Sequence, residues 1–449
     1  PITLREQNVL KQGDRTITGA PLTQPMTLVE ICRRAKAHSL WTQRHRVKAE
    51  KAKLGIGYGV GFALANQAYG TGTDGVMAEV SIAPNGELTV CSNCVDMGNG
   101  SATTLAISTA GFAGNNAAQV QMGDVGRFNA LQMTTFATLV PCPVPNPPPP
   151  SDWVTNPAYT ASFSMSSSAC LTAFHQVHVT EQATRALFDA ALLPAAAALW
   201  KVSPATLQGQ TVWQGGRLLV PSQSALQPLT LAALATQIYG AGLPRAAMVH
   251  GLYQGSWVSA SYWVAGSMRQ MPIDGLALQS SGAGQGWQVI TRQNVIPPEP
   301  NARLYGRSLY APSGALIAVE IDLKTGQPKV SQVELWVDAG KVLQPDLLKG
   351  QAEGGIAMGI GYALLENLPL EAGGAGDGRW NLDRYHVALA SDMPRKLSIT
   401  PLPSTETTAK GIAEAVLCPI TPAVANAIAH ATGKRFYNLP ITAAQIKGA

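Results

Sequence analysis

From Gly55 to Gly61 every second residue is glycine: Gly55, Gly57, Gly59 and Gly61. Alternate residues of a strand share a face, so a strand here passes close to other backbone. The spacing does not fit G-x-G-x-x-G, which excludes a dinucleotide site of that kind. Strand patterning runs on to Val95, and the runs 78–82 and 87–90 flank Pro84-Asn85-Gly86, a hairpin signal. Upstream, residues 1–24 read as an extended arm, and Thr27 with Glu30 forms a capping box for a helix through about Ala37. Helical patterns return from Thr103 to about Asn115 and from Met165 to about Ala191, with an extended proline-rich run from Cys142 to Pro150 between them. A second strand system begins at Ala318, broken for a hairpin at Lys324-Thr325-Gly326; Gly373 to Gly378 is a further turn, and Trp380 starts the strand after it. A chain of 449 residues is long enough for at least two lobes.

The segment that bears on chemistry is Lys410-Gly411-Ile412-Ala413-Glu414, one carboxylate at the end of an apolar loop. A helix follows it, with Thr421 as N-cap, Pro422 in the first turn and Gly433 as stop. A helix fixed at both ends holds the loop before it rigidly, as a catalytic base requires. Three other segments stand out. Met97-Gly98-Asn99-Gly100 lies between a strand run and a helical run, and Tyr159-Thr160-Ala161-Ser162 opens a helix rich in small residues. Gly350-Gln351-Ala352-Glu353-Gly354-Gly355 sits inside a helical pattern that begins near Pro345.

In that order the segments resemble four loops of the molybdenum-binding subunit of the xanthine oxidase and aldehyde oxidoreductase family: M-G-Q-G, T-A-A-S, G-Q-x-E-G-[AG] and G-x-G-E. Tyr305-Gly306, Val337-Asp338-Ala339-Gly340 and Asp392-Met393-Pro394 match further positions usual in that family. The resemblance implies an α+β fold: a two-lobed molybdopterin-binding domain of mixed sheets packed with helices, completed by a partner chain. It divides the chain into an N-terminal arm and helix (1–54), a first lobe (55–244), a variable aromatic-rich insertion (245–304) and a second lobe with the glutamate loop (305–449). The family's polypeptide is longer, and the glycine-rich and arginine-bearing loops of its N-terminal half are not found here. The expectation is therefore the C-terminal part of that subunit, with another chain carrying the N-terminal half.

What the resemblance implies about chemistry is oxidation of an aldehyde to a carboxylic acid with oxygen from water. The cofactor would be molybdenum held by a pterin, molybdopterin or its cytosine dinucleotide, with no side chain ligating the metal. Glu414 would be the base and Gln351 would hydrogen-bond near the metal's ligands. Met97, Gly98, Asn99, Gly100, Thr160, Ala161, Ser162 and Gly411 would hold the cofactor. Asn99 stands where the family has Gln, which keeps the amide and shortens its reach by one methylene. Hydroxylation of an aromatic N-heterocycle is the alternative substrate class. A non-catalytic scaffold or cofactor-insertion subunit is the alternative of another kind.

Composition bears on partners. Charged residues are 13 % of the chain, roughly half the usual share, which points to a surface largely covered by other chains. The net charge of +5 is small and argues against a nucleic-acid role. The basic cluster from Arg44 to Lys53 reads as a solvated helix end. Residues 245–300 gather His250, Tyr253, Trp257, Tyr262 and Trp263, suited to a substrate funnel or a subunit contact. The ferredoxin cysteine spacing is absent, so [2Fe–2S] clusters belong on a partner subunit, with FAD or haem on a flavin or cytochrome subunit. Cys91 and Cys94 read as strand residues approaching the Met97 loop. No apolar run reaches the ~18 residues of a membrane span. The expected location is cytoplasmic, or periplasmic where a partner carries an export signal.

Overall fold

The structure is a computed structural model. It describes residues 1–17, 19, 21–69, 74–132, 134–135, 159–160, 172–253, 255–282, 284, 286–296, 309–368 and 385–448. The proline-rich run at 142–150, Ala161 and Ser162, Tyr305-Gly306, and the turn and strand expected at 373–380 lie outside the described residues.

In chain order the helices used below are α1 (Ile2–Asn8), α2 (Leu28–Ala37), α3 (Arg44–Ala52), α4 (Ser101–Ser108), α5 (Val177–Leu187), α6 (Leu231–Ala241), α7 (Pro345–Leu364) and α8 (Ile420–Thr432). The strands are β1 (Ile56–Ala68), β2 (Asp74–Ile82), β3 (Leu88–Ser92), β4 (Gln119–Met122), β5 (Pro244–Tyr253), β6 (Gly275–Ser280), β7 (Trp287–Val289), β8 (Tyr310–Asp322), β9 (Pro328–Val337) and β10 (Lys396–Pro401). The fold is α+β with mixed sheets, as expected. The first residues differ from the expected extended arm, because α1 buries Ile2.

Contacts divide the chain into two compact units, Pro1–Tyr69 with Leu309–Ala449, and Gly70–Ser308. This departs from the four-segment division. β1 pairs antiparallel with β8 from Ile56↔Asp322 to Ala68↔Tyr310, which ties the N-terminal part to the C-terminal part. Residues near the start of the segment expected as an insertion lie within a sheet. β5 is bonded between β2 and β6 in the middle of a sheet.

The first unit is built on the four-stranded sheet β1-β8-β9-β10, antiparallel except for β9 and β10. Tyr58, Val60 and Phe62 of β1 face α2, whose Ile31, Cys32 and Ala35 fall on one helical stripe. The intervening residues of β1 are the glycines, and they face α8. A Cβ on Gly59 would lie 1.9 Å from the carbonyl oxygen of Ala427, and one on Gly61 would lie 2.1 Å from that of Ala423. The strand therefore does pass against another backbone, that of the helix behind the glutamate loop. Ile317, Val319, Val333 and Leu335 complete the core with Ile356 and Ile360 of α7 and Val424 and Ile428 of α8.

The second unit carries the six-stranded sheet β7-β6-β5-β2-β3-β4, antiparallel except for β3 and β4. The expected hairpin joins β2 to β3, where Asn85 Oδ1 accepts from the Glu87 N–H at 3.0 Å. Val177, Val179 and Ala183 of α5 are buried. Wide π turns flank α5 at Thr172–Gln176 and Phe188–Leu192, the second just ahead of Pro194, where the chain lacks an N–H.

The glycine stripe makes a prediction. In Gly61→Ala the new methyl meets backbone of a packed helix, which has no room to retreat, and stability should fall by at least ~2 kcal/mol. Gly57→Ala meets side-chain atoms of Leu323 and Ile321 at 3.1 and 3.3 Å and should cost less than about 1 kcal/mol. Denaturant midpoints of the two variants check this, and equal losses would contradict it.

Candidate functional site

The loop bearing Glu414 is held at its root by a buried carboxylate. Asp338 follows β9 and is 1 % exposed. It accepts from Lys410 Nζ at 2.8 Å, from the Thr27 hydroxyl at 2.9 Å and from the Gly340 N–H at 3.1 Å. Lys410 is 2 % exposed and its ammonium also lies 2.8 Å from Glu406. Backbone bonds repeat the attachment, with Lys410 N donating to Ala339 O and Lys341 N to Thr408 O, both at 2.9 Å. A buried ion pair contributes little net stability after desolvation, but a fully bonded one fixes geometry. Here it fixes where the chain enters Gly411.

This corrects one expectation. Thr27 does precede α2, yet its hydroxyl goes to Asp338 and makes no cap bond to its own helix. Glu30 pairs with Arg34 at 2.8 Å, so no capping box forms.

From Ile412 the chain makes consecutive turns. Val416 N donates to Ile412 O, and Leu417 N and Cys418 N both donate to Glu414 O at 3.1 and 3.0 Å. The Ser313 hydroxyl of β8 donates to Ala415 O at 2.5 Å. Ala415 and Val416 are fully buried, Gly411 is buried and Glu414 is half-buried. The apolar neighbours of Glu414 therefore anchor its backbone in the core. Burial pushes the Cys418 thiol up, and the negative charge of nearby Glu414 adds to this.

Behind the turns, α8 begins at Ile420, and Gly433 ends it at φ +78 as expected. Thr421 is inside the helix rather than at its cap. Its hydroxyl donates to Gly359 O of α7 at 2.8 Å, locking the two helices together. α7 starts at Pro345, and Gln344 Oε1 caps it by accepting from Asp346 N at 2.6 Å. A Cβ on Gly355 would lie 2.8 Å from Val416 and 3.2 Å from Leu417 N, so α7 rests on the turn just past Glu414. Gln351 is one turn earlier on α7 and half-buried, and its carboxamide has no hydrogen-bond partner among the described residues. Glu353 pairs with Lys349 at 3.8 Å.

Met97–Gly100 belongs to the second unit, between β3 and α4. An amide network fixes its approach. The Ser92 hydroxyl donates to Gln176 Oε1, Gln176 Nε2 donates to Asn93 Oδ1, and Met77 N donates to the same oxygen, each at 2.9 Å. Asp96 then accepts from Gly98 N and Ala102 N, both at 2.9 Å, which folds the loop over the start of α4. Asn99 Oδ1 accepts from the Ser101 N–H at 3.2 Å and its hydroxyl at 2.5 Å. The shortened amide thus spends its oxygen on its own helix. Met97 is 64 % exposed, and the space a Cβ on Gly98 would enter is open. Burial pushes Cys91 and Cys94 up to about 11, so both stay protonated thiols at neutral pH. Thr160 pairs with Thr135 in a short parallel ladder.

In the first unit the Gln351 carboxamide has no partner among the described residues, and in the second the glycine loop 97–100 is open, groups that suit an organic cofactor bound by amides and backbone. Among the described residues no three His, Cys, Asp or Glu gather closely enough to ligate a metal ion.

Sequence reasoning passed over Asp338 as a hub, although it lies inside Val337-Asp338-Ala339-Gly340, and a buried carboxylate has no signature without its partners. It also missed a buried pair in the second unit, where His250 Nδ1 lies 2.5 Å from Asp274 and Arg292 donates to Asp274 O at 3.0 Å. The aromatic group around His250 separates accordingly. Trp257 stacks on His178 at 3.8 Å, Tyr262 is buried, and Trp263 is 59 % exposed.

The family described as "Molybdopterin cofactor-binding domain" matches residues 154–394. The chain is 34 % identical over 153 residues to a probable xanthine dehydrogenase subunit of Bacillus subtilis, covering 33 % of this chain and 20 % of that protein. It is 32 % identical over 142 residues to the aldehyde oxidoreductase molybdenum-binding subunit of Escherichia coli, covering 31 % and 19 %. The crystal structure of quinoline 2-oxidoreductase from Pseudomonas putida 86 superposes with a TM-score of 0.64 at 19 % identity, over 99 % of this chain and 49 % of that one. The chain thus spans about half the length of that structure, and its alignments take in about a fifth of the curated relatives.

Lys410→Met should destabilise the protein by ~3–5 kcal/mol, because it leaves Asp338 charged and buried without its cation. Chemical denaturation measures this. An unchanged midpoint would mean that the carboxylate is satisfied without Lys410.

Proposed function

Because the chain belongs to the molybdopterin cofactor-binding domain family of the molybdenum hydroxylases, we propose that it forms part of the catalytic subunit of an oxidoreductase that converts an aldehyde to a carboxylic acid with oxygen from water. The observation that carries this is Glu414: a half-buried carboxylate on a loop fixed before it by Asp338–Lys410 and after it by α8. A scaffold has no use for that arrangement, whereas a base must keep its place through the reaction.

When bound, the molybdenum cofactor supplies the two-electron redox centre, and the chain's own residues do the rest. Met97 and Gly100 would offer backbone N–H groups to the pterin, while Gly98, whose N–H is held by Asp96, would let the cofactor approach the loop closely. Asn99 braces that loop through Ser101, and Thr160, Ala161, Ser162 and Gly411 add further contacts. Gln351 presents its carboxamide as donor to oxygen near the reacting carbon, where a fixed dipole stabilises developing charge. Glu414 Oε would accept the proton that water gives up as its oxygen bonds the substrate carbon, the two electrons of the broken C–H bond going to the redox centre. The relative named xanthine dehydrogenase keeps hydroxylation of an aromatic N-heterocycle as the second reading. The remaining parts of the enzyme would be a chain with the N-terminal half, a [2Fe–2S] subunit, and a flavin or cytochrome subunit. No helix among the described residues is long and apolar enough to cross a membrane.

Glu414→Gln should leave folding and molybdenum content unchanged while lowering turnover by ~10²–10⁴-fold, the usual contribution of a positioned base. Near-normal turnover per molybdenum would move the base elsewhere, and a complex that never carries molybdenum would favour the scaffold reading.

Gln351→Ala and Asn99→Ala should differ in kind. Loss of the Gln351 carboxamide should lower turnover per metal. Loss of the Asn99 brace costs about 1 kcal/mol of local helix stability and should lower molybdenum occupancy. Metal analysis beside single-turnover rates separates them. Full occupancy with collapsed turnover in Asn99→Ala would make its side chain catalytic.

A further inference from the structure

A cavity with a mainly apolar floor and basic side chains around it lies at the other end of α8, in the first unit. It encloses about 400 Å³ between α3, β1 and the C-terminal turn of α8. Ten residues of helix separate it from the Glu414 turns, roughly 15 Å at 1.5 Å per residue. Its lining includes Arg5, Arg44 and Arg435 with His45 and His430, and no carboxylate among the described residues. None of the three arginines is ion-paired among those residues. Arg5 donates to Pro1 O at 3.2 Å, Arg435 to Asn426 Oδ1 at 3.1 Å, and Arg44 to Trp41 O at 2.6 Å. The Arg44 guanidinium carbon also lies over the Trp41 ring, 3.9 Å from its centroid, which holds the group in place without pairing its charge with a carboxylate. The basic cluster read as a solvated helix end is therefore split. Arg46 pairs outward with Glu50, while Arg44 and His45 turn to the cavity.

We propose that this cavity is a binding site for a small phosphate-bearing molecule carrying two or more negative charges. Guanidinium groups recognise phosphate through paired N–H donors, and three of them around one cavity balance a polyanion rather than a single chloride or carboxylate. The volume lies within the ~300–1,000 Å³ range of ligand sites and exceeds what a lone inorganic phosphate fills. His430 reports the same imbalance. Its Nδ1 accepts from the Val60 N–H at 3.0 Å, its carbonyl accepts from Lys48, and its ring meets His45 edge to face at 5.3 Å. Burial, with the charges of Lys48, His45 and Arg44, pushes it down to about 4, so it enters the site as a neutral ring. The Nδ1 bond leaves Nε2 as its N–H donor.

The test is calorimetric titration of inorganic pyrophosphate into the purified complex that contains this chain, at low and moderate salt. One pyrophosphate should bind per chain. Arg44→Gln and Arg435→Gln should each weaken it at least tenfold, and Arg44→Lys should lose less than Arg44→Gln. Arg435 is exposed, so its variant reads the site even if Arg44→Gln fails to fold. Binding that ignores both substitutions, or no binding at low salt, would overturn the proposal. So would arginine variants that bind pyrophosphate normally but release a partner chain, which would make the cavity the seat of an acidic segment of that partner.

Discussion

The carboxylate of Asp338 joins three stretches of chain that are far apart in sequence. Thr27 brings the start of α2, Gly340 the exit from β9, and Lys410 the entry to the glutamate loop. Each of these groups would be costly to bury alone, since an unpaired buried charge or donor loses its hydration with no return. Bonded together they specify a single arrangement, because any slip of one segment strands the others. The position of Glu414 therefore depends on a residue seventy-six places earlier in the chain, and on a helix that has no chemistry of its own.

A second constraint comes from residues without side chains. α8 can hold the turns after Glu414 only if it sits still, and it sits on Gly59 and Gly61 of β1 at backbone contact. Gly355 and Gly359 likewise let α7 come close, against Val416 with the Leu417 N–H and against the Ile420 side chain. Closeness of this kind removes the play that longer side chains leave between helix and sheet. The helices are further tied by the Thr421 hydroxyl on Gly359 O. Position of the base is thus set by packing on two faces and by one buried ion pair at its root.

Much of this was legible in the sequence, for definite reasons. Glycine at period two announces a strand under another backbone, and the partner proved to be α8. Pro84-Asn85-Gly86 and Lys324-Thr325-Gly326 announced hairpins, since few residues tolerate those backbone angles. Pro345 and Gly433 marked the start of α7 and the end of α8 correctly. Thr27 and Thr421 were misread because a hydroxyl has several uses, and a tertiary partner outbid the local cap in both cases. The grouping of residues by contacts was not legible in the same way, because strand pairing between β1 and β8 joins residues about 250 apart. The hub at Asp338 and the pair His250–Asp274 were invisible for the same reason: burial and partner are both tertiary facts.

The departures from the family pattern in the Met97 loop also have a physical reading. Asn99 reaches only Ser101, and Asp96 spends both oxygens on Gly98 N and Ala102 N. With side chains turned inward to the loop's own helix, what the loop presents outward is mainly backbone and the exposed Met97. A backbone surface binds by shape and by N–H direction, and it is insensitive to the loss of one methylene at Asn99. The glutamine-to-asparagine exchange therefore fits a loop whose function rests on its conformation, with the side chain serving to keep that conformation in place.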